Sequence, residues 1–84
     1  MERQVGRITH YFGRIGVAAV ELEDALLVGD SIGVKGHTSD WVQRVDSMQV
    51  DGADVERAER GQVVGIKVSE HAREHDVVFK LEED

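Results

Sequence analysis

Short runs of apolar and β-branched residues, separated by turns that contain glycine and aspartate, recur along the whole chain and most constrain its fold. The strand-like runs lie at residues 4–12, 16–22, 31–35, 41–50, 62–68 and 76–81. Alternation with a period of two places one face of each strand in a core. We therefore predict an all-β fold, a small closed six-stranded antiparallel β-barrel, because closure removes the aggregation-prone edges of an open sheet.

Two segments depart from simple alternation. Residues 41–50 need a β-bulge near Asp46 and Ser47 if their apolar side chains are all to point inward. Residues 54–60 suggest a helix but are too few for a stable one, and Gly61 follows them. We predict a single helical turn below the barrel there.

The last strand-like run carries three apolar residues in one phase. Val77, Phe79 and Leu81 are two residues apart, the spacing of core-facing side chains in a strand. On this pattern they are expected to share one face of the final strand of the barrel.

Length and composition restrict the remaining possibilities. The 84 residues have room for one domain, residues 1–84, and one modest core. The chain contains no cysteine, which excludes disulfides, thiolate metal sites and thiol catalysis. We recognise neither a secretory signal nor a membrane-spanning run in the sequence, so a cytoplasmic location is expected.

The formal net charge of −7 bears on the choice of partner. Nucleic-acid affinity depends largely on Lys and Arg neutralising phosphates, so an acidic domain needs a local basic patch to bind RNA. Basic residues favour the first half of the chain and acidic runs the second. The simplest interpretation of the acidity is solubility, and a salty cytoplasm would favour it as well.

Several motifs resemble the barrel domain II of elongation factor Tu and its relatives. They are, in chain order, Gly16-Val17-Ala18-Ala19-Val20, Leu27-Val28-Gly29-Asp30-Ser31-Ile32, Val45-Asp46-Ser47-Met48, Ala58-Glu59-Arg60-Gly61-Gln62-Val63-Val64-Gly65-Ile66 and Arg73-Glu74-His75-Asp76-Val77-Val78. In the last of these, His75 stands where the family usually has glycine. The resemblance implies the translation-protein barrel. A similar barrel also closes some collagenase-like peptidases at the C-terminus.

The resemblance does not extend to GTP hydrolysis. Translational GTPases carry a G-x-x-x-x-G-K-[ST] loop in a preceding domain, and Gly33-Val34-Lys35-Gly36 is too short to match it. No GTP and no other cofactor is therefore expected. The matching residues make turns and bends, so the resemblance concerns architecture more than activity.

Aromatic side chains next to cations are the candidate binding residues. Such pairs on a strand surface can stack on unpaired bases and contact phosphates. The candidates are Arg7, His10, Tyr11, Arg14, Lys35, His37, Trp41 and Arg44. The alternative is that Tyr11, Phe12 and Trp41 only cap the open ends of the barrel.

Catalysis and metal binding are not expected. His71 and His75 have the spacing of a helical zinc pair, but the resemblance puts them in a turn, where both would not share a face. The serines lie in no recognisable nucleophile elbow.

Two functions remain. The first is a non-catalytic binding module linked to translation, with the ribosome or tRNA as partner, because domain II of the resembling family contacts RNA. The alternative is a protein-interaction module that docks on a larger enzyme or factor. An exposed apolar patch around Phe12, Ile15 and Trp41 would favour the alternative.

Overall fold

The computed structural model describes residues 2–82, and all their regular secondary structure is β-strand. The ten strands are β1 (Glu2–Phe12), β2 (Val17–Leu22), β3 (Leu26–Leu27), β4 (Ser31–Lys35), β5 (Asp40–Arg44), β6 (Met48–Val50), β7 (Ala53–Val55), β8 (Arg57–Ala58), β9 (Val63–Lys67) and β10 (Val77–Leu81). The predicted all-β class is confirmed.

Eight strands form one antiparallel sheet in the order β5-β4-β10-β1-β2-β9-β6-β7, and β3 and β8 form a separate two-stranded sheet. The sheet coils around sixteen buried apolar residues. Val20, Val64 and Ile66 are examples, at most 1 % exposed, and they alternate with exposed or half-buried neighbours on β2 and β9. Alternation along the strands thus builds the core, as the sequence predicts.

Turn glycines lie where the motifs require them. Gly29, before Ser31 starts β4, has a φ of 100°, and Gly61, before β9, has a φ of 90°. Both values lie in the left-handed region that glycine adopts without a steric penalty. Gly65 has little spare room, because a Cβ there would be 3.3 Å from Cγ1 of Val17.

The central strand β10 reverses the pattern that its sequence suggests. The core residue is Val78, which is 0 % exposed, whereas Val77, Phe79 and Leu81 are half-buried on the opposite, outward face. Register decides the phase, because Val78 pairs with the buried Val34 of β4. The inward-pointing Lys80 reaches the end of the core, where its Nζ lies 3.3 Å from Oδ2 of Asp30.

The helical turn predicted at residues 54–60 is wrong. This stretch contains the end of β7 and all of β8. Asp51 and Gly52 have φ values of 52° and 79°, and they make a tight hairpin that returns the chain along β6. Pairing with Met48 then holds Val55 in an extended conformation, so tertiary pairing overrides the local helical tendency.

The predicted single strand at residues 41–50 is also wrong. It is divided into β5 and β6, joined through Val45, which is 0 % exposed. The β-bulge expected near Asp46 and Ser47 is therefore replaced by a corner. The register shifts that the structure does contain fall in β1, between Gln4 and Gly6 and between Ile8 and His10.

Strand pairing leaves the sheet open. Within residues 2–82, β5 and β7 are its two edges, so the predicted closed six-stranded barrel is not confirmed. The edge of β5 is nevertheless bridged by side chains. Gln43 Nε2 donates to the Lys67 carbonyl and Ser69 N–H donates to Gln43 Oε1, both at 2.9 Å. We call this contact between β5 and the segment after β9 the seam.

Candidate functional site

Tyr11 and Trp41 both contact His71 at one end of the molecule. From the sequence, His71 is a candidate only for metal binding. The Tyr11 ring lies 4.6 Å from the His71 ring, centroid to centroid, in an edge-on arrangement. Trp41 Nε1 donates to the His71 carbonyl at 2.9 Å. Both aromatic side chains are only partly exposed and pack against the core. They are held by protein contacts rather than presented as open stacking platforms.

His10 lies next to them on the exposed side of β1. Its Nδ1 lies 3.2 Å from Oε2 of Glu74, and its ring packs edge-on against Phe12 with centroids 4.4 Å apart. Arg14 and His37 are exposed in the turns that follow β1 and β4. The turns after β1, β4 and β9 therefore gather at one end of the sheet.

Arg7 and Lys35 lie on the outward face, on either side of Val77. The pairing register places Arg7 of β1 and Lys35 of β4 directly opposite Val77 of β10. Lys35 Nζ is 3.2 Å from Glu2 Oε2 and 5.7 Å from the centre of the Phe79 ring. One of the predicted phosphate-binding cations is thus already paired with a carboxylate.

Arg44 is separate from the other candidates, at the far end of β5, where it pairs with Ser31. It is exposed, and it lines a groove of about 410 Å³ along the seam together with Lys67 and Ser69. The eight predicted residues therefore lie in three places. His10, Tyr11, Arg14, His37 and Trp41 are at the end of the sheet that we call the aromatic end. Arg7 and Lys35 are on the outward face of β1 and β4, and Arg44 is at the seam.

The apolar patch expected around Phe12, Ile15 and Trp41 is divided. Phe12 is 45 % and Ile15 62 % exposed, and they share the β1–β2 turn, where Ile15 N–H donates to the Phe12 carbonyl. Trp41 is instead packed against the core beside His71.

A buried aspartate that the sequence argument treated only as part of a motif fixes the aromatic end. Asp76 is 4 % exposed and its Oδ2 accepts hydrogen bonds from Ser39 Oγ at 2.5 Å and from the Arg73 N–H at 2.9 Å. Arg73 Nε in turn donates to Thr38 Oγ1 at 2.7 Å. These bonds tie the β4–β5 turn to the segment before β10.

The backbone conformation of His75 shows why the family usually has glycine at this motif position. Its φ is 76°, a left-handed conformation that glycine adopts more easily than histidine. Its N–H donates to the Ile8 carbonyl at 2.8 Å, so the strained residue is held in place by β1. The motif position is therefore a true positive-φ site, occupied here by a bulkier residue.

Gln43 is the other residue that sequence reasoning missed. Its amide donates to the carbonyl of Lys67 and accepts from the N–H of Ser69, the two neighbours of Val68. A residue of a parallel strand paired with Val68 would make the same two bonds. The signal in the sequence is a polar residue in the inward phase between Trp41 and Val45.

Residues 2–82 contain no group of three His, Asp or Glu side chains placed to hold a metal ion. Across the same range, no helix has the length and apolar character needed to cross a membrane. The histidines of the predicted turn, His71 and His75, engage different partners, the Tyr11 ring and the Ile8 carbonyl.

The chain is similar in sequence to larger proteolytic enzymes. It is 38 % identical over 81 residues to an uncharacterized protease of Methanocaldococcus jannaschii, which covers 95 % of this chain and 20 % of that protein. It is 35 % identical over 80 residues to a collagenase of Porphyromonas gingivalis, covering 93 % of this chain and 22 % of the collagenase. The chain thus spans about a fifth of the length of these relatives. No family model matches it.

Solved structures show the same fold. The C-terminal domain of a putative U32 peptidase from Geobacillus thermoleovorans superimposes with a TM-score of 0.88 at 20 % identity, covering 93 % of this chain and 91 % of that one. Its selenomethionine variant gives a TM-score of 0.86 at 19 % identity. The likeness to elongation factor Tu rests on the sequence motifs alone. The described fold is that of the C-terminal domain of a U32 peptidase.

Proposed function

We propose that this chain is a non-catalytic protein-interaction module that docks on a larger collagenase-like peptidase. The relatives carry the corresponding segment within a polypeptide about five times as long. The observation that carries the proposal is the pattern of the match, nearly the whole of this chain against about a fifth of each relative. The U32 peptidase neighbour, whose C-terminal domain has this fold, supports the same partner class.

The charge distribution favours a protein over RNA as partner. The net charge is −7, and Arg3, Lys35, Arg57 and Lys80 each lie within ion-pair distance of a carboxylate. Such pairing lowers the positive potential that an RNA phosphate would meet. RNA or ribosome contact, the function implied by the translation-factor motifs, is accordingly the weaker proposal.

We also infer that the coiled sheet acts as a barrel of the translation-factor type, closed by side chains at the seam. The two Gln43 hydrogen bonds and the Trp41 bond to His71 span the opening beside β5. Positive φ values at Gly29, Gly61 and His75 match the glycine positions of the motifs. Both observations support a closed body in place of an open sheet.

Affinity purification of the tagged chain from its own cells at low and at moderate salt tests the function. A collagenase-like peptidase that co-purifies at both salts is expected, because apolar interfaces respond weakly to salt. Binding to RNA would weaken steeply, because each phosphate contact releases counterions.

Recovery with ribosomes at low salt only, and with no peptidase, would overturn the peptidase proposal in favour of RNA contact. Catalysis is tested separately by incubating the purified chain with gelatin. Hydrolysis by the chain alone, retained through purification to homogeneity, would contradict a non-catalytic role.

A further inference from the structure

The outward side of strands β5, β4 and β10 carries an apolar surface. Val42 is 62 % exposed, and it is aligned across the sheet with Gly33 of β4 and Phe79 of β10. Val77 and Leu81, two residues to either side of Phe79, face outward with it. We call the side chains of Val42, Val77, Phe79 and Leu81 around Gly33 the apolar face.

Gly33 lies at the centre of this surface and is itself buried. It has no side chain, and a Cβ added there would meet only ordinary contacts, 3.7 Å from the Trp41 carbonyl and 4.0 Å from Leu81 Cδ2. Glycine therefore occupies the centre of the apolar face although a Cβ would fit there.

The arrangement of β10 is the opposite of what a strand with one solvent-facing side normally shows. Such strands place polar residues outward and apolar residues inward. Here Val77, Phe79 and Leu81 point outward, while the charged Lys80 points inward towards Asp30. An outward apolar surface on a central strand indicates a surface for association with another protein.

The margin of the apolar face gives the chemistry of the partner. Arg7 and Arg44 stand at diagonally opposite corners, and neither forms an ion pair within residues 2–82. Lys35 is also at the margin, and its side chain reaches over Phe79, 5.7 Å from the ring centre, to pair with Glu2. Asp40, opposite Lys35, and Glu2, opposite Leu81, occupy the other two corners, so the margin carries charges of both signs. An apolar surface flanked by charged groups of both signs would complement it.

The position at which β1 begins favours one partner for the apolar face, the part of a peptidase that precedes its C-terminal domain. In the U32 peptidase neighbour this fold is the C-terminal domain, so the rest of that protein precedes the equivalent of β1. Here β1 begins at Glu2, which pairs with Leu81 of the apolar face. The preceding body in such an enzyme is therefore attached at the margin of this surface.

We propose that the apolar face is the docking surface for the catalytic body of the peptidase, through an apolar patch that has charged groups of both signs at its rim. This inference rests on the proposed function and names its interface. The β1–β2 turn with Phe12 and Ile15, and the exposed Val63 of β9, lie outside the interface.

Photo-crosslinking in the chain's own cells tests the surface. The photoreactive amino acid p-benzoylphenylalanine replaces Phe79 in one variant and Val63 in a control. Val63 suits the control because it is outward-facing and 50 % exposed, on a strand that does not adjoin the apolar face. We expect a crosslink to a collagenase-like peptidase from position 79 and none from position 63.

The other outcomes each contradict a different statement. A crosslink to the peptidase from position 63 but not from 79 would contradict the apolar face as the docking surface, while the proposed function would still hold. A crosslink between two copies of this chain from position 79 would contradict the proposal that a peptidase binds the apolar face. No peptidase from either position overturns both proposals.

A matched pair of substitutions gives a quantitative check on the captured peptidase. Val42→Lys introduces a charge into the apolar face, and Val63→Lys introduces the same charge elsewhere. We expect at least a tenfold loss of affinity for Val42→Lys and less than a twofold change for Val63→Lys. Equal losses, with both variants folded by circular dichroism, would contradict the proposed surface.

Discussion

Two residues that are not aromatic, Asp76 and Gly36, determine the structure of the aromatic end. Asp76 is buried and joins two turns through Ser39 and the Arg73 N–H. Gly36 leaves the space that this carboxylate needs, since a Cβ there would lie 1.8 Å from Asp76 Oδ1. The requirement for glycine at position 36 is therefore steric.

Replacing Gly36 with alanine is expected to lower the free energy of unfolding by at least ~2 kcal/mol, because the Asp76 carboxylate must move and lose hydrogen bonds. For a domain of this size the melting temperature would fall by about 8–16 °C. Gly33→Ala is the control, because its Cβ meets nothing closer than 3.7 Å. Equal melting temperatures for the two variants in thermal unfolding would contradict this account.

At the level of strands, side chains replace main-chain pairing at the seam. Gln43 bridges to Lys67 and Ser69 with one amide group. These two hydrogen bonds are made at the partly exposed edge of β5, where water competes for the same groups. The sheet therefore depends on the side chains of Gln43 and Trp41 at the place where its ladder is missing.

Gln43→Ala is expected to lower the free energy of unfolding by about 1–3 kcal/mol through loss of these two bonds. Gln49→Ala is the control, because Gln49 is an exposed residue of β6 that bonds only the side chain of Asp54, and its loss should cost less than about 0.5 kcal/mol. Urea unfolding measures both. A cost for Gln43→Ala no larger than the control would show that the seam contributes little.

Sequence reasoning located strands where polar and apolar residues alternate, and it was wrong where they do not. In β10 residues 77, 78, 79 and 81 are all apolar, so alternation cannot assign the inward face, and pairing of Val78 with Val34 decides it. Residues 54–60 have helical composition but are extended by pairing with other strands. Gln43 could not be identified as a bridge, because its partners lie 24 and 26 residues away.

At the scale of the whole molecule, a group of exposed acidic residues lies on one segment of the chain. The exposed acids Asp51, Asp54, Glu56 and Glu59 all lie between β6 and β9, where Arg57 pairs with Glu59. The pKa of Arg57 is raised, first by its hydrogen bond to Glu59 and then by the charge of that carboxylate. Local pairing thus offsets only part of the repulsion that a net charge of −7 creates.

Neutralising Glu56 as Glu56→Gln is therefore expected to raise the melting temperature by about 1–3 °C at low salt, an effect of a few tenths of a kcal/mol. Arg60→Gln is the matched control of opposite sign, since it removes an exposed cation from the same acidic region. Both shifts should shrink in 0.5 M salt, roughly a Debye length of 4 Å. Calorimetric shifts of the same sign would contradict net repulsion.

The pairing of Glu2 with Leu81 sets the first and last strands of the described chain side by side, about 5 Å apart. A unit whose entry and exit adjoin can be spliced into a surface loop of a host polypeptide with little disturbance to either. The same geometry permits attachment at one end. Gene rearrangement could thus move this unit between hosts as an insert, an appendage or an independent chain, with its internal pairing intact.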